Sequence, residues 1–369
     1  MLDKKTRIGL LAPINWSIPP VSYGPWEQDI ADIITGLKQI GYHNIVLFAT
    51  KETYIPGVKT IAIIDKPFGD RDVRGQHAWE LIHIAHAMKM AENEVDILNN
   101  HFNYMPLLFS EFTSKPVVTT LHGCGAEETP SEAFRYYRHL PYISISDAER
   151  KNVPELNYVA TVYNPINFDQ FSFSPVKPGE YLVTMGRMHP NKGIHNSIAL
   201  AKALNKPLYL AGPIQPESQS YFDTRVAPFI DNKQIFYLGN ISSSEVHSWV
   251  SRAKAFVGMI EWDEPFGRSI AESMACGTPV IATPMGAHSE LVRDGISGII
   301  VKSVEEATKR FHEIESIDRE KCRVAAERLY SIPRVAHSLV NAFEKVLEEH
   351  TSLAHPFTYY ETSTARSLE

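Results

Sequence analysis

The 369-residue sequence has only three cysteines, Cys124, Cys276 and Cys322, odd in number and too far apart for CxxC spacing. That excludes a disulfide framework and a cysteine metal motif, and it predicts a reducing, cytoplasmic home. Positive charge is not in excess either, since 36 Lys and Arg face 43 Asp and Glu for a formal net charge of −7. A nucleic-acid partner, which needs a dense basic surface, is therefore not expected. No apolar run approaches the ~20 residues of a membrane span, so membrane contact is expected to be peripheral at most. The apolar stretch after Lys4, Lys5 and Arg7 stops at Pro13 and Asn15, too short for a secretory leader. With 44% hydrophobic and 21% charged residues, low-complexity and disordered classes are excluded as well.

What is present is a repeated alternation of short apolar runs with helical patterns. The runs at 7–13, 43–50, 96–100, 117–121 and 142–146 read as buried strands, and a helix is predicted from Trp26 to Ile40. Gly24-Pro25 fits its start, because a helix's first N–H groups have no partner to lose. Near 172–179 the text turns to "SFSPVKPG", which reads as a linker. Alternation then restarts with runs at 181–185, 208–212, 235–238, 255–260, 279–283 and 298–301. Helices close the chain, with Ser331 a candidate cap and Pro333 in the first turn of the last long one. The expected fold class is α/β, with two Rossmann-like domains facing a cleft at 1–172 and 180–335. A C-terminal helix and tail, 336–369, is expected to cross back to the first domain.

Two segments carry candidate chemistry. In "EWDEPFGRSIAESMACGTPVIAT" (261–283), Glu264 precedes a short helix from Arg268 to Cys276 ended by Gly277, and Glu272 lies about one turn inside it. The free N–H groups of such a helix start form an anion site, and a carboxylate on each side can accept from hydroxyls. The plainer reading of that spacing is two solvated surface charges. "GRMHPNKG" (186–193) follows the first strand of the second domain and places Arg187 and Lys192 between glycines. Two fixed cations suit a diphosphate, although a solvated surface loop has the same composition.

Together these segments resemble the group 1 (family four) glycosyltransferases of the GT-B fold that use nucleotide-sugar donors with retention. "EPFGRSIAE" matches their Glu-x7-Glu pattern, "GRMHPNKG" their Gly-Arg-x5-Lys-Gly loop, and 277–301 their usual continuation. The resemblance implies that Glu272 binds ribose hydroxyls and Glu264 the donor sugar's hydroxyls. It places the backbone of Phe266, Gly267, Arg268 and Ser269 near sugar and phosphates, with Arg187 and Lys192 on the diphosphate. Gly186 and the Leu238-Gly239-Asn240 loop complete the donor side, the loop contacting the base through its backbone. In "TTLHGCG" (119–125), His122 is implied near donor sugar and acceptor, and Gly24 belongs to the phosphate loop. Pro25 replaces a second glycine there and removes a backbone donor, and "YNPINFDQF" keeps only Asn164 and Asn167 of another family segment. The implied partners are a nucleotide-sugar donor and a saccharide, lipid-linked or small-molecule acceptor, with no cofactor and no metal. A nucleotide-sugar epimerase and a non-catalytic sugar-nucleotide-binding protein are the rival expectations.

Other features are weaker. His77, His83 and His86 share a predicted helix, but no carboxylate motif completes a metal site. Cys124 reads as a buried thiol beside the site. Trp16, Tyr23 and Trp26 surround Gly24, where they either stack on an acceptor sugar or anchor the helix.

Overall fold

A computed structural model describes residues 2–21, 24–69, 75–123, 131–171, 173 and 178–352. Tyr23, Cys124, most of the 172–179 linker and the tail beyond 352 lie outside the described residues.

The first sheet contains β1 (Ile8–Leu11), β2 (Ile45–Phe48), β3 (Lys59–Ile61), β4 (Ile97–Asn100), β5 (Val117–Thr120), β6 (Pro141–Ser144) and β7 (Asn157–Thr161). All pairings are parallel, in the order β3-β2-β1-β4-β5-β6-β7. The second contains β8 (Leu182–Met185), β9 (Leu208–Ala211), β10 (Ile235–Tyr237), β11 (Ala255–Gly258), β12 (Val280–Ala282) and β13 (Gly298–Ile300). It too is parallel, ordered β10-β9-β8-β11-β12-β13. The central strands are buried along their length, as a sheet covered by helices on both faces requires, which is why they read as unbroken apolar runs. Strands β3 and β7 had no clear sequence signal, and neither is fully buried: their residues are exposed or half-buried.

Helices α1 (Pro25–Gln39), α2 (Gln76–Glu94) and α3 (Ser131–Tyr136) belong to the first sheet. Along the second run α4 (Ile194–Leu204), α5 (Gln219–Tyr221), α6 (Ser243–Arg252), α7 (Arg268–Ala275), α8 (His288–Leu291), α9 (Val304–Ser316), α10 (Arg319–Tyr330) and α11 (Ile332–Ser352). On α1, Ile30, Ile33, Ile34 and Leu37 are buried at helical spacing and enter the first core.

Helix α11 begins at Ile332, ahead of residue 336, and runs back to the first domain. Its Val335, Ala336, Leu339, Val340, Phe343 and Val346 join the core formed by α1 and the first sheet. Full burial of each large side chain contributes roughly 1.5–3 kcal/mol, enough to hold the crossing. The contact is close because Gly36 faces it: a Cβ there would stand 2.7 Å from both Ile332 Cγ2 and the Ile332 carbonyl. Ser331 separates α10 from α11, its carbonyl accepting from Val335 N–H at 3.0 Å, and Pro333 falls in the first turn. No helix among the described residues is long and apolar enough to cross a membrane.

Candidate active site

In each sheet the strand order reverses beside the first strand, between β1 and β4 and between β8 and β11. Loops leaving the carboxyl ends at such a switch point diverge and open a crevice. The segments singled out by motif all leave strand ends at or near these two places. Gly24 precedes α1, which follows β1; His122 follows β5; Gly186, Arg187 and Lys192 follow β8; Gly239 follows β10; Glu264 to Glu272 follow β11.

Glu264 is held on three sides. Its Oε1 accepts from Lys192 Nζ at 2.5 Å, and its Oε2 lies 3.4 Å from His288 Nε2. Its backbone carbonyl accepts from Ala287 N–H at 2.9 Å. Burial alone would raise this carboxyl, but the Lys192 charge, helped by His288, outweighs it and lowers the pKa to about 2. Lys192 reaches it because Gly193, at φ 58, turns the chain against the Met259 carbonyl, where a Cβ would collide. Gly286 packs its Cα against the Glu264 backbone in the same way.

Helix α7 starts at Arg268 after Gly267, whose φ of 98 suits glycine, and ends at Gly277 with φ 71. Ile270 and Ala271 N–H bond back to the Gly267 carbonyl, so Arg268 and Ser269 supply the helix's opening N–H groups. Phe266 is buried against Tyr163 and Tyr330. Glu272, one turn along, accepts from Arg268 Nε at 3.3 Å and lines a small recess with Met185, His247, Ser269 and Ser273. Arg187 donates to Gln215 Oε1 at 3.0 Å. Gly239, at φ 79, gives its carbonyl to Gly212 N–H at 2.9 Å, and a Cβ on Gly186 would meet open space.

The first domain closes the other wall. Gly24 lies over Pro20, and its carbonyl accepts from Gln28 N–H at 2.9 Å. His122 is buried, 8% exposed, and its ring stacks on Trp26 with centroids 5.2 Å apart. Trp26 is thus partly committed to the protein itself, and Trp16 packs beside Gly69. A Cβ on Gly123 would touch Pro265 Cγ at 3.7 Å, so the loop after β5 meets the loop after β11 across the cleft. The same junction carries an ion pair from Arg268 Nη1 to Asp29 Oδ1 on α1.

Asp29, His288, Asn99 and His101 join this region although the motifs did not single them out. His288 stands in the quoted segment 277–301, where the His was legible but its contact with Glu264 was not. Asp29 is 1% exposed on α1. The helical histidines do not meet as ligands: His83 is buried against the Ala12 carbonyl at 3.2 Å and His77 pairs with Glu80. No cluster of three or more His, Cys, Asp or Glu suited to a metal occurs among the described residues. Asn164 is buried, and Asn167 caps a short turn by accepting from Asp169 N–H at 3.2 Å. Cys276 and Cys322 are free, buried thiols.

Two parallel α/β domains with facing switch points define a two-domain GT-B architecture. Residues 166–330 match the profile of "Glycosyl transferases group 1", and that segment belongs to this family. The whole chain is similar to proteins named as a glycogen synthase and a glycosyltransferase. It is 21% identical over 374 residues to the glycogen synthase of Mycobacterium tuberculosis, covering 86% of this chain and 89% of that one. The solved structure of AviGT4, a glycosyltransferase involved in avilamycin A biosynthesis, superimposes with a TM-score of 0.70. That match has 20% identity and spans 93% of this chain and 98% of AviGT4. The Anabaena protein HepE, solved in complex with UDP and glucose, gives 0.68 at 19% identity over 92% and 99% of the two chains. At these identities the structures establish the shared fold.

Proposed function

We propose that this protein moves a sugar from a nucleotide-diphosphate donor held by the second domain to a hydroxyl acceptor held mainly by the first, with retention at the anomeric carbon. The observation that carries the reading is the grouping of the Lys192–Glu264 pair, the opening N–H groups of α7 and Glu272 on one cleft wall. Each element has a chemical counterpart in a nucleotide sugar. Glu272 accepts from the ribose hydroxyls and Glu264, kept ionised, accepts from the sugar's hydroxyls. The backbone of Phe266 to Ser269 with Gly186 and Gly24 flanks the phosphates, and Gly239 with its neighbours meets the base. Arg187 and Lys192 with the positive end of α7 stabilise the charge that grows on the departing diphosphate, and no metal is invoked. His122 stands on the opposite wall beside the sugar. The acceptor oxygen bonds to the anomeric carbon on the face from which the diphosphate leaves, and its proton passes to the leaving phosphate oxygen. HepE's complex with UDP makes UDP the first nucleotide to try. The epimerase and non-catalytic readings are not favoured by the matches to a protein named glycogen synthase and to AviGT4, named as a glycosyltransferase.

The test is thermal unfolding with UDP, GDP, ADP and their common sugar conjugates, since a ligand selective for the folded state raises its stability by about 2.7 kcal/mol at 100 times Kd. One nucleotide family is expected to stabilise the parent and to lose that effect in Glu272→Ala. Glu264→Ala is expected to keep nucleotide binding while turnover drops on the order of 100-fold. Absence of any shift at millimolar ligand, or variants that bind and turn over like the parent, would sink this site assignment.

A further inference from the structure

Behind His122 lies a chain of buried hydrogen bonds whose direction follows from its far end. Asn99, on β4, donates from Nδ2 to the Val118 carbonyl at 3.1 Å and to Thr120 Oγ1 at 2.9 Å. A carbonyl only accepts, so the amide's orientation is fixed and Asn99 Oδ1 faces away as an acceptor. His101 Nε2 stands 2.8 Å from that oxygen and therefore carries a proton. Burial lowers the His101 pKa well below its ordinary value, so the ring is neutral and its Nδ1 is a lone pair. His122 Nε2, 3.0 Å from this Nδ1, must donate to it. Burial, with the nearby Arg268 charge, lowers His122 to about 3 and keeps it neutral as well. One proton per ring is then accounted for, which leaves His122 Nδ1 bare. That atom is buried and has no partner among the described residues.

We propose that Asn99 and His101 are positioning residues that lock His122 in its Nε2–H tautomer, so that Nδ1 accepts a hydrogen bond from a sugar hydroxyl in the cleft. This rests on the reading of His122 as a cleft residue beside the sugar. Phosphate and ring oxygens of a nucleotide sugar only accept hydrogen bonds at neutral pH, so they cannot satisfy a bare lone pair, whereas a hydroxyl can. A hydroxyl that bonds there relieves the cost of an unpaired buried acceptor. Asn99 and His101 are both 0% exposed, which isolates the relay from water.

Nitrogen NMR of histidine-labelled protein reads the tautomer directly. In the ligand-free parent, His122 is expected to show a protonated Nε2 and a bare Nδ1 from about pH 5 to 8, a range where an ordinary histidine titrates. His101→Phe, which removes the acceptor for Nε2–H, should give mixed His122 tautomers and about tenfold lower kcat with little change in nucleotide affinity. His101→Asn places an amide oxygen near the lost Nδ1 and should recover the parent tautomer and most of the turnover. Adding the most stabilising nucleotide sugar from the thermal screen should shift His122 Nδ1. A shift absent with the bare nucleotide assigns the hydroxyl to the donor sugar, and one needing nucleotide plus free glucose assigns it to the acceptor.

A protonated Nδ1 or a charged ring in the parent overturns the relay, as does a His101→Phe spectrum like the parent's. If His101→Phe does not fold, the parent and His101→Asn spectra decide the same point. The expected tautomer without any ligand shift at Nδ1 overturns the hydroxyl contact. Failure of every nucleotide in the thermal screen overturns instead the donor reading beneath it, while the ligand-free spectrum still judges the relay.

Discussion

Carboxylates at the two walls of the cleft shift in opposite directions, according to whether a partner's charge or burial prevails. Glu264 is half-buried, and although desolvation would raise its pKa, Lys192 and His288 lower it to about 2. Asp32 on α1, 3% exposed, is raised from the ordinary 3.8 to about 6, chiefly by burial, with Arg268 and the Gln28 amide opposing. Glu27 is raised to about 7 for the same first reason. Burial also raises Asp29 despite its Arg268 partner, and its Oδ2 has no hydrogen bond. Because the folded pKa of Asp32 exceeds the unfolded one, its favourable contribution is complete below about pH 4 and lost as pH rises through 6. Asp32→Asn, which keeps an oxygen for Gln28 without the charge, should therefore exceed the parent's stability at pH 8 by about 1–3 kcal/mol and match it near pH 4. Denaturant melts at the two pH values measure this, and a gain that is the same at both would contradict it. None of these shifts was legible from composition, since a carboxylate's environment is set by residues remote in sequence.

Helix α7 shows what short-range signals specify. Gly267 and Gly277 mark its ends in the sequence, and both adopt positive φ in the structure. The strands of the core were legible for a similar local reason, since parallel strands buried on both faces leave continuous apolar runs. The weakly buried β3 and β7 leave no such run. Loops that set the site depend on contacts a motif does not display. A side chain on Gly286 would run into the Glu264 N and O atoms, so Gly286→Ala must move either its own loop or Glu264. That variant should lower kcat on the order of tenfold or more while nucleotide binding through Glu272 persists. Parent-like turnover in a kinetic assay would show that the 286 loop yields without disturbing Glu264.

Across the whole molecule, the halves are joined by an apolar seam and by polar contacts. Ile166, Phe168 and Phe171 share a core with Phe266, Ile270 and Tyr330. Glu290 on α8 accepts from the backbone N–H of Asp147 at 2.9 Å and of Ala148 at 2.5 Å, and Arg268 reaches Asp29 on the other side. Glu290→Ala leaves two N–H groups unpaired at the junction and should loosen the domains. Small-angle scattering is expected to show a larger radius of gyration, with donor affinity lowered several-fold. A scattering curve identical to the parent's would show that the Glu290 contact does not set the closure. A second prediction at this scale concerns the returning helix. Gly36→Ala should cost about 1–3 kcal/mol in thermal unfolding by pressing on Ile332, and a neutral result would mean that α11 shifts freely on α1.

The sequence by itself determined the alternation of strand and helix, the position of α7 between its glycines, and the spacing of Glu264 from Glu272. These are local properties, written in period and backbone preference within one stretch of chain. Only the tertiary structure decided which groups face them. Lys192 meets Glu264 across 72 residues, Arg268 meets Asp29 across 239, and His101 meets His122 from a neighbouring strand. Strand order at the two switch points brings those partners together, and burial there multiplies the effect of each charge and lone pair. Protonation and tautomer therefore belong to the folded cleft, because they depend on neighbours and on the exclusion of water.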